Sequence, residues 1–543
     1  MVFARRSTTL LAAIIASCAM VLSLTACTSD NKTVVDGQTT VTSNSAGGVA
    51  VFTPSDGITL NQQTPLNKWA KLVPDLTKAL VDAGFKKGDI NHTTSDSLDK
   101  QSRAIQDFVV DHLSNNTTDD SGIAIAPDNM TLLVAPVVEA DASTRQYGDY
   151  VSQNLSTNDA TDGEATSDGE SSEDDSSKDD SSNTESDSTA SDEQAQAVDR
   201  LVSSLKLAKE SGMHVVLLGN SIEGYKPDAF VKFSDAQTIG KLQAEKMVSK
   251  LKLDKASKDN PKYIEVLLPY TAVDEKGNAN DSTFAQEAFR GIWQVLGSYY
   301  QKGVVESPSG TLDGKSTEND WQAVAYDAAK EGSTAKVLDK RLAKTDGQST
   351  LTRIDGIITM NDYIASEVVK ELDDLGYTGS AADINPQITI SGIVGNITGK
   401  KDLSRDAVPD PIKSPENDNA NDSSSSDDDA DEDTSASDKD RDSQWPLVTG
   451  YGAYVSNIPS IVNGKQWMTG MEDRQTIATD IAQACAKLNK DEALNSMPSI
   501  RNSEVGGVKK IPTISEPLLA VSASNLKSAL IDPGYISLAD AGL

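Results

Sequence analysis

The sequence predicts an α/β protein that contains two parallel sheets in two separate units. Short apolar runs typical of strands alternate with segments in which apolar residues recur at spacings of three and four. Gly84 and Gly376 follow two of these segments, where the end of a helix favours a left-handed residue. The chain has 543 residues, more than one domain usually contains. Strand–helix alternation over this length is typical of two parallel-sheet units.

The first 26 residues are predicted to form a secretory signal peptide. Arg5 and Arg6 precede an apolar run over 10–22 that is too short to cross a bilayer as a helix. The run leads into Leu24-Thr25-Ala26-Cys27, which resembles the lipobox of bacterial lipoproteins. We therefore expect lipidation at Cys27, and the alternative is an ordinary signal peptide with a chance cysteine at its end. Residues 27–47 are rich in Ser, Thr, Asn and Gly and are predicted to form a flexible tether.

The cysteine count excludes an internal disulfide. Cys18 would leave with the signal peptide and Cys27 would carry lipid, so only Cys485 would keep a free thiol. Because Cys485 lies within an apolar helical pattern, we predict a buried thiol and not a nucleophile.

The strands and helices that carry the α/β prediction can be placed from periodicity. Strands are predicted at 49–53, 132–138, 214–218, 230–233, 263–268, 354–359, 387–391 and 446–449. Helices are predicted around the apolar sets Trp69, Leu72, Leu76, Leu80; Val198, Leu201, Val202, Leu205; and Ile364, Val368, Leu372. In such sheets ligands bind outside the carboxyl ends of the strands, and two facing units form a cleft.

Two acidic tracts supply most of the net charge of −33. Residues 158–193 contain fourteen acidic and one basic side chain, and residues 416–442 contain twelve acidic and two basic side chains. Both tracts have almost no apolar residues to bury, so we expect disordered inserts. Nucleic-acid binding is disfavoured, because phosphate contact requires clustered Lys and Arg.

The sequence lacks the common catalytic motifs. It has no phosphate-binding Gly-rich loop, no Gly-x-Ser-x-Gly and no Cys or His pair at metal spacing. His92, His112 and His214 are scattered, and we expect structural roles for them. We therefore predict no enzymatic activity, no cofactor and no metal. Carboxylates that meet across a cleft could hydrolyse a glycosidic bond, so a glycoside-processing enzyme stays as an alternative.

Polar and aromatic residues follow several predicted strands. Amides and carboxylates can bind the hydroxyls of a sugar, and an aromatic face can contact the apolar side of the ring. Each residue could instead cap the helix that follows it. The candidates identified in this way are Asp56, Lys68, Trp69, Glu139, Asn220, Asn361 and Asp362.

The order of several segments resembles periplasmic sugar-binding proteins of the xylose and multiple-sugar type. Residues 228–235 and 240–244 resemble the strand, hinge and helix start of that family, and further matches follow in the same order at 357–362, 445–450, 463–469, 521–530 and 533–535. The resemblance covers about 48–543 apart from the acidic tracts. It implies a type I periplasmic-binding fold, in which two Rossmann-like lobes are joined by three hinge crossovers and close on a ligand.

The resemblance also implies domain limits. Lobe 1 is expected at 48–234 plus 451–510, with the first acidic insert, and lobe 2 at 236–450, with the second. Residues 511–543 are expected to form the third crossover and the C-terminal segment.

The binding residues of the family transfer only in part. Asn361 and Asp362 match its Asn-Asp pair, Lys68-Trp69 occupy the place of an Arg-Trp pair, and Trp321 falls near a family tryptophan. Where the family has Asp-Arg this chain has Gly219-Asn220, and where it has Gly-Gln-Asp this chain has Gly450-Tyr451-Gly452. Either a larger solute stacks on Tyr451 and Trp69, or the site has decayed while the fold serves another role.

These implications define a functional expectation. The chain is expected to be the monomeric solute-binding lipoprotein of an ABC importer, held by its lipid on the extracytoplasmic face of the cell membrane. It would bind a sugar or related small polar solute and deliver it to a membrane permease. The alternative is a surface sensor or interaction protein that reuses this fold with an altered or lost sugar site.

Overall fold

The computed structural model of the chain describes residues 34–35, 38–39, 46–55, 65–115, 125–138, 144–157, 185–273, 280–343, 351–381 and 444–543. Met1–Asn44 and Ser45–Leu543 are two separate compact units. In the first, the strands Val34–Val35 and Gln38–Thr39 pair in antiparallel fashion. The signal peptide, Cys27 and the predicted strand at 387–391 lie outside the described residues.

The second unit alternates strands and helices along the chain. Its principal strands are β1 (Gly48–Pro54), β2 (Ile90–Ser95), β3 (Met130–Val134), β4 (His214–Leu218), β5 (Ala229–Lys232), β6 (Lys262–Val266), β7 (Val305–Glu306), β8 (Gly356–Ile358), β9 (Leu447–Thr449), β10 (Met468–Met471), β11 (Ile500–Val505), β12 (Val508–Ser515) and β13 (Leu519–Ser522). Its principal helices are α1 (Trp69–Asp82), α2 (Leu98–Asn115), α3 (Glu185–Glu210), α4 (Ala236–Leu251), α5 (Thr283–Gln301), α6 (Ser333–Arg341), α7 (Asp362–Leu375) and α8 (Arg474–Leu488). No helix in the described part of the chain is both long enough and apolar enough to cross a membrane.

The larger sheet has seven strands in the order β11-β12-β5-β4-β3-β1-β2. All neighbours are parallel except β11, which runs antiparallel to β12. Along β1, Val49 and Val51 pack on one face with α1 and α8, while Ala50 and Phe52 pack on the other with α2 and α3. Because both faces are covered, β1 is a continuous apolar run and not an alternating one.

The smaller sheet has four parallel strands in the order β7-β6-β8-β9. One face packs against α4 and α5 and the other against α6 and α7. The first four strands of the larger sheet have the same order, with the second strand at the edge beside the first. The chain therefore forms the same doubly wound arrangement twice.

Three connections join the two sheets. The first runs from β5 to α4, the second from β10 to α8, and the third from β12 to β13. At the second and third connections β10 pairs with β13 in antiparallel fashion, and β10 also contacts the residues that follow β9 through a bridge between Tyr451 and Gly470. The predicted fold class, two parallel-sheet lobes joined by three crossovers, is confirmed.

The C-terminal segment continues from β13 along the smaller-sheet side of the connections. Its apolar residues form a separate cluster with the segments before α1 and after β9. Leu526, Leu530 and Tyr535 are buried there against Leu66 and Ile458.

The predicted lobe boundaries at 234/236, 450/451 and 510/511 stay predictions. The strand pairings place the second and third boundaries later in the chain than 450/451 and 510/511. The chain leaves the smaller-sheet side after Met471 and leaves the larger sheet after Ser515. We use "larger-sheet lobe" for β1–β5, β11, β12 and their helices, and "smaller-sheet lobe" for β6–β10 and theirs.

Two local predictions need correction. Residues 185–193 were expected to be disordered within the first acidic tract, but α3 begins at Glu185. The Gln and Ala residues at 194–197, directly after the tract, favour a helix, and the helix extends back from them to Glu185. The run predicted at 132–138 ends as a strand at Val134, because Pro136 has no backbone N–H for a ladder.

Strand β2 is not predicted from the sequence. Its central residues, Asn91 to Thr94, are polar and exposed, since β2 lies at the edge of the larger sheet. Such a strand has no apolar pattern to detect.

Candidate functional site

Asn361 follows β8 and orients the start of α7. Its Oδ1 accepts a hydrogen bond from the Ile364 N–H at 2.9 Å and so caps the helix. The preceding residue, Met360, has φ of 68°, a backbone conformation that is costly for a side chain other than glycine. The carbonyl of Met360 accepts a hydrogen bond from Gln243 Nε2. Asn361 is thus held in place on both sides, and its Nδ2 donates to Gln146 Oε1 at 3.1 Å.

Asp362 is fully buried and binds the segment that follows β9. Its Oδ1 accepts from Gln466 Nε2 at 2.7 Å, and its Oδ2 accepts from Thr469 Oγ1 and from the Tyr454 N–H, both at 2.9 Å. Its own carbonyl accepts from Asn457 Nδ2 at 2.7 Å. The carboxylate therefore ties α7 to residues 454–469 within the smaller-sheet lobe.

Gly450 is required beside this carboxylate. A Cβ at position 450 would lie 2.1 Å from Asp362 Oδ1, a distance at which the atoms would overlap. Burial raises the pKa of Asp362 to about 6, against the opposing effect of its hydrogen-bond donors.

Tyr451 lies at the junction of the two lobes. Its hydroxyl is hydrogen bonded to Ser234 Oγ at 2.5 Å and lies 3.5 Å from Glu472 Oε1. Ser234 belongs to the first connection between the sheets and Glu472 to the second. Tyr451 is completely buried, so its ring presents no face to solvent.

Glu472 joins the two connections directly. Its Oε1 accepts from the Ser234 N–H at 2.6 Å and from Ser234 Oγ at 2.5 Å. The Glu472 N–H donates to Asn67 Oδ1 at 3.4 Å. Burial raises the pKa of Glu472 to about 7.

Lys68 and Trp69 lie at the start of α1 and contact residues 149 and 150. Lys68 Nζ lies 2.7 Å from Asp149 Oδ1, and the Trp69 N–H donates to Asp149 Oδ2 at 3.0 Å. The Trp69 ring meets Tyr150 edge-to-face at 5.1 Å and Phe233 at 5.7 Å. Trp69 is buried.

Two further predicted residues do not join this cluster. Asn220 Oδ1 accepts from the Gln153 N–H at 3.0 Å and its Nδ2 donates to the Pro136 carbonyl, so its amide fixes loops of the larger-sheet lobe. Trp321 packs edge-to-face on Tyr270 at 5.1 Å, within the smaller-sheet lobe. Asp56 and Glu139 lie outside the described residues.

The structure therefore brings together five of the nine predicted binding residues: Lys68, Trp69, Asn361, Asp362 and Tyr451. Asp362 and Tyr451 are in direct contact, since the Asp362 N–H donates to the Tyr451 carbonyl at 2.9 Å. The side chains of Lys68 and Asn361 instead bind other residues of the chain, Asp149 and Gln146. The intermediates that sequence reasoning missed are Gln146, Tyr147, Asp149, Tyr150, Ser234, Tyr454 and Glu472. Ser234 could have been found, since it directly follows the strand predicted at 230–233. Glu472 follows β10, a strand that was not predicted.

The remaining reactive side chains have structural surroundings. His92 Nε2 is hydrogen bonded to Thr53 Oγ1, and His214 Nε2 to the Asp128 carbonyl. Cys485 is buried in α8, as predicted, and burial raises the pKa of its thiol. Among the described residues, no group of three or more His, Cys, Asp and Glu side chains is arranged to hold a metal ion.

Comparison with known proteins gives structural similarity alone. No protein-family model and no curated protein matches the chain. A solute-binding protein of an ABC transporter from Clostridium phytofermentans, with bound β-D-glucose, is 16% identical, and the alignment covers 91% of this chain and 99% of that one with a TM-score of 0.44. A carbohydrate transporter solute-binding protein from Chloroflexus aurantiacus, in complex with D-glucose, is 18% identical over 92% and 98%, with a TM-score of 0.42. The arabinose-binding protein AraP from Geobacillus stearothermophilus is 10% identical over 89% and 99%, also with a TM-score of 0.42.

The fold class rests on the architecture of this chain. Two sheets with the same strand order, three connections between them, and polar residues at the strand ends define the type I periplasmic-binding fold.

Proposed function

We propose that this chain is an extracytoplasmic solute-binding lipoprotein of an ABC importer. It binds a sugar or a related small polar solute between its lobes and delivers it, unaltered, to a membrane permease. The proteins named above are described as binding glucose or arabinose, and the proposal assigns the same class of solute to this chain.

One observation carries the proposal. Ser234 at the end of β5 and Glu472 at the end of β10 meet at the two connections that a hinge between lobes would use. Asn361, after β8, donates a hydrogen bond to Gln146, so that polar groups from both lobes lie at the strand ends. Parallel α/β sheets bind ligands at this edge. Amide, hydroxyl and carboxylate groups at such a place are suited to the vicinal hydroxyls of a sugar.

The solute is tested by thermal denaturation of the mature protein. Glucose, xylose, arabinose, myo-inositol and a set of disaccharides are each added, and the melting temperature is measured. A solute that binds only the folded state adds about 2.7 kcal/mol at a concentration 100 times its Kd, so the cognate class raises the melting temperature by several degrees. If none of these solutes raises it, the transport proposal is rejected for sugars and polyols.

Attachment to the membrane is tested at Cys27. In a bacterial host that processes lipoproteins, the wild-type protein should fractionate with membranes and incorporate labelled palmitate, while Cys27→Ser should do neither. A matched Cys485→Ser variant should keep both properties, because Cys485 is buried in α8. Equal labelling of the wild type and Cys27→Ser would contradict the lipobox.

A second candidate is a surface interaction protein that has kept the fold and lost the sugar site. It is favoured by the burial of Tyr451, Asn361 and Asp362, whose polar groups are hydrogen bonded to their own chain. This candidate predicts that the melting temperature stays unchanged with every solute in the panel.

A further inference from the structure

The segment at residues 144–151, between β3 and α3, contacts both lobes. Thr144, Tyr147, Tyr150 and Val151 are buried in it, although it is an irregular connection that includes only the short 3-10 turn Arg145–Tyr147. Connections of this kind normally run over the surface. We call residues 144–151 the bridging segment.

One half of the bridging segment is fixed to the larger-sheet lobe. The Asp149 N–H donates to the Asn67 carbonyl at 2.8 Å, and the Asp149 carboxylate binds Lys68 and the Trp69 N–H. The Tyr150 hydroxyl donates to the Lys68 carbonyl at 2.5 Å. The Tyr150 ring stacks on Phe233, at the start of the first connection, with centroids 4.8 Å apart.

Gln146 and Tyr147 in the other half, and Val151 at the end of the segment, contact the smaller-sheet lobe. The side-chain Oε1 of Gln146 accepts a hydrogen bond from Asn361 Nδ2. The backbone carbonyl of Gln146 accepts one from the Tyr454 hydroxyl at 2.7 Å. The Tyr147 ring lies 4.7 Å from Phe284 of α5 and 6.2 Å from Tyr451. Tyr147 is 1% exposed and belongs to the apolar cluster of the smaller-sheet lobe.

Gly148 separates the two halves. Its φ of 98° favours glycine, and a Cβ there would lie 2.5 Å from the Asn67 carbonyl oxygen. The turn at Gly148 lets neighbouring tyrosines, Tyr147 and Tyr150, pack into different lobes.

We propose that the bridging segment is an intramolecular occupant of the interlobe site. It contacts Lys68, Trp69, Asn361 and Tyr451, four of the residues assigned to solute binding, and holds the lobes together when no solute is present. A solute that uses these residues must displace it, so withdrawal of the segment is the step that opens the site. Only molecules in which the segment is withdrawn can bind solute. The apparent affinity is therefore the intrinsic affinity multiplied by the fraction of such molecules.

Electron spin resonance distances between the lobes test the proposal. Spin labels are attached to the mature protein carrying Cys27→Ser, at Lys206→Cys on α3 and Lys370→Cys on α7, two exposed positions. Without added solute, we expect one narrow distance distribution in the otherwise unaltered chain. With Tyr147→Ala, the distribution should broaden and its mean should shift to longer distance, because Tyr147 is the main apolar contact of the segment with the smaller-sheet lobe.

Two further variants complete the test. Tyr225→Ala removes a buried tyrosine that packs only within the larger-sheet lobe, and its distribution should overlay that of the unaltered chain. Gln146→Ala removes a half-buried side chain and leaves no cavity in the core. If Tyr147→Ala fails to fold, Gln146→Ala should still shift the mean distance to larger values. An unchanged distribution in both bridging-segment variants, or an equal shift in Tyr225→Ala, overturns the proposal. Since no solute is added, this result is independent of the solute panel.

Discussion

Asp362 and Glu472 are both buried carboxylates that follow a strand, yet their surroundings differ. Asp362 accepts three hydrogen bonds shared between its two oxygens, all from residues 454–469 of its own lobe. The hydrogen bonds within 3 Å to Glu472 come from Ser234 alone and reach one oxygen, Oε1. Asp362 therefore organises one lobe, whereas Glu472 joins two connections between lobes.

In both groups, burial raises the pKa in spite of hydrogen-bond donors that oppose it. Burial disfavours the charged form of both groups, and hydrogen bonds to the charged form oppose that effect. Asp362 has donors on both oxygens, and its pKa rises to about 6 from an ordinary value of 3.8. Glu472 has a single residue as its strong donor, and its pKa rises to about 7 from 4.5.

The largest effect is expected at Asp362. Asp362→Ala removes the acceptor of the Tyr454 N–H and of the Thr469 hydroxyl, and one of the two acceptors of Gln466 Nε2. Each buried polar group left unpaired costs about 1–3 kcal/mol. We expect a loss of at least about 3 kcal/mol in the free energy of unfolding, measured by urea denaturation. Asp373→Ala, at an exposed carboxylate on the same helix, is the control and should cost far less. Similar losses in the two variants would refute the role assigned to Asp362.

A pH series should separate Glu472 from the other carboxylates. Its folded-state pKa lies above its unfolded value, so the folded state binds more protons between about pH 4.5 and 7. The contribution of Glu472 to stability is therefore greatest below about pH 4.5, falls as pH rises to about 7, and is constant above it. The stability of the wild type minus that of Glu472→Gln should fall by about 3 kcal/mol across this window. A flat difference would show that Glu472 titrates normally.

A smaller effect is expected for Tyr451→Phe, which keeps the buried ring and removes the hydroxyl bonded to Ser234 and Glu472. We expect a loss of about 1 kcal/mol, the usual value of one hydrogen bond. In a double-mutant cycle with Glu472→Gln, the two losses should be non-additive because the groups share Ser234. Additive losses would place Tyr451 outside the Glu472 network.

The smallest effect is expected at an exposed ion pair, which sets the baseline for the comparison. Lys78 and Asp82 form an exposed pair on α1 at 2.7 Å. Pairs of this kind add little to stability because water and salt screen them. The urea midpoint of Lys78→Ala should match that of the wild type, and a clear decrease would mean that surface charge also contributes to the effects measured at the buried sites.

The sequence predicted the fold more completely than the site. Strand β4 was placed at its observed limits, and the predicted helices at 69–80, 198–205 and 364–372 all lie within α1, α3 and α7. Asn361 and Asp362 were identified because they directly follow a strand. Asn220 also follows a strand but fixes loops inside the larger-sheet lobe, since a position after a strand does not decide what a side chain contacts. Trp321, which the family resemblance implied, packs on Tyr270 inside the smaller-sheet lobe.

The sequence by itself determined the alternation of strands and helices, the order of the segments and the acidic character of the two inserts. These properties depend on apolar periodicity and charge, which are local. Only the tertiary structure decided that Gln146 meets Asn361, 215 residues away, and that Ser234 meets Glu472, 238 residues away. Such contacts form when distant parts of the chain are brought to one edge of a sheet. The local sequence does not predict which polar groups will be hydrogen bonded to one another there.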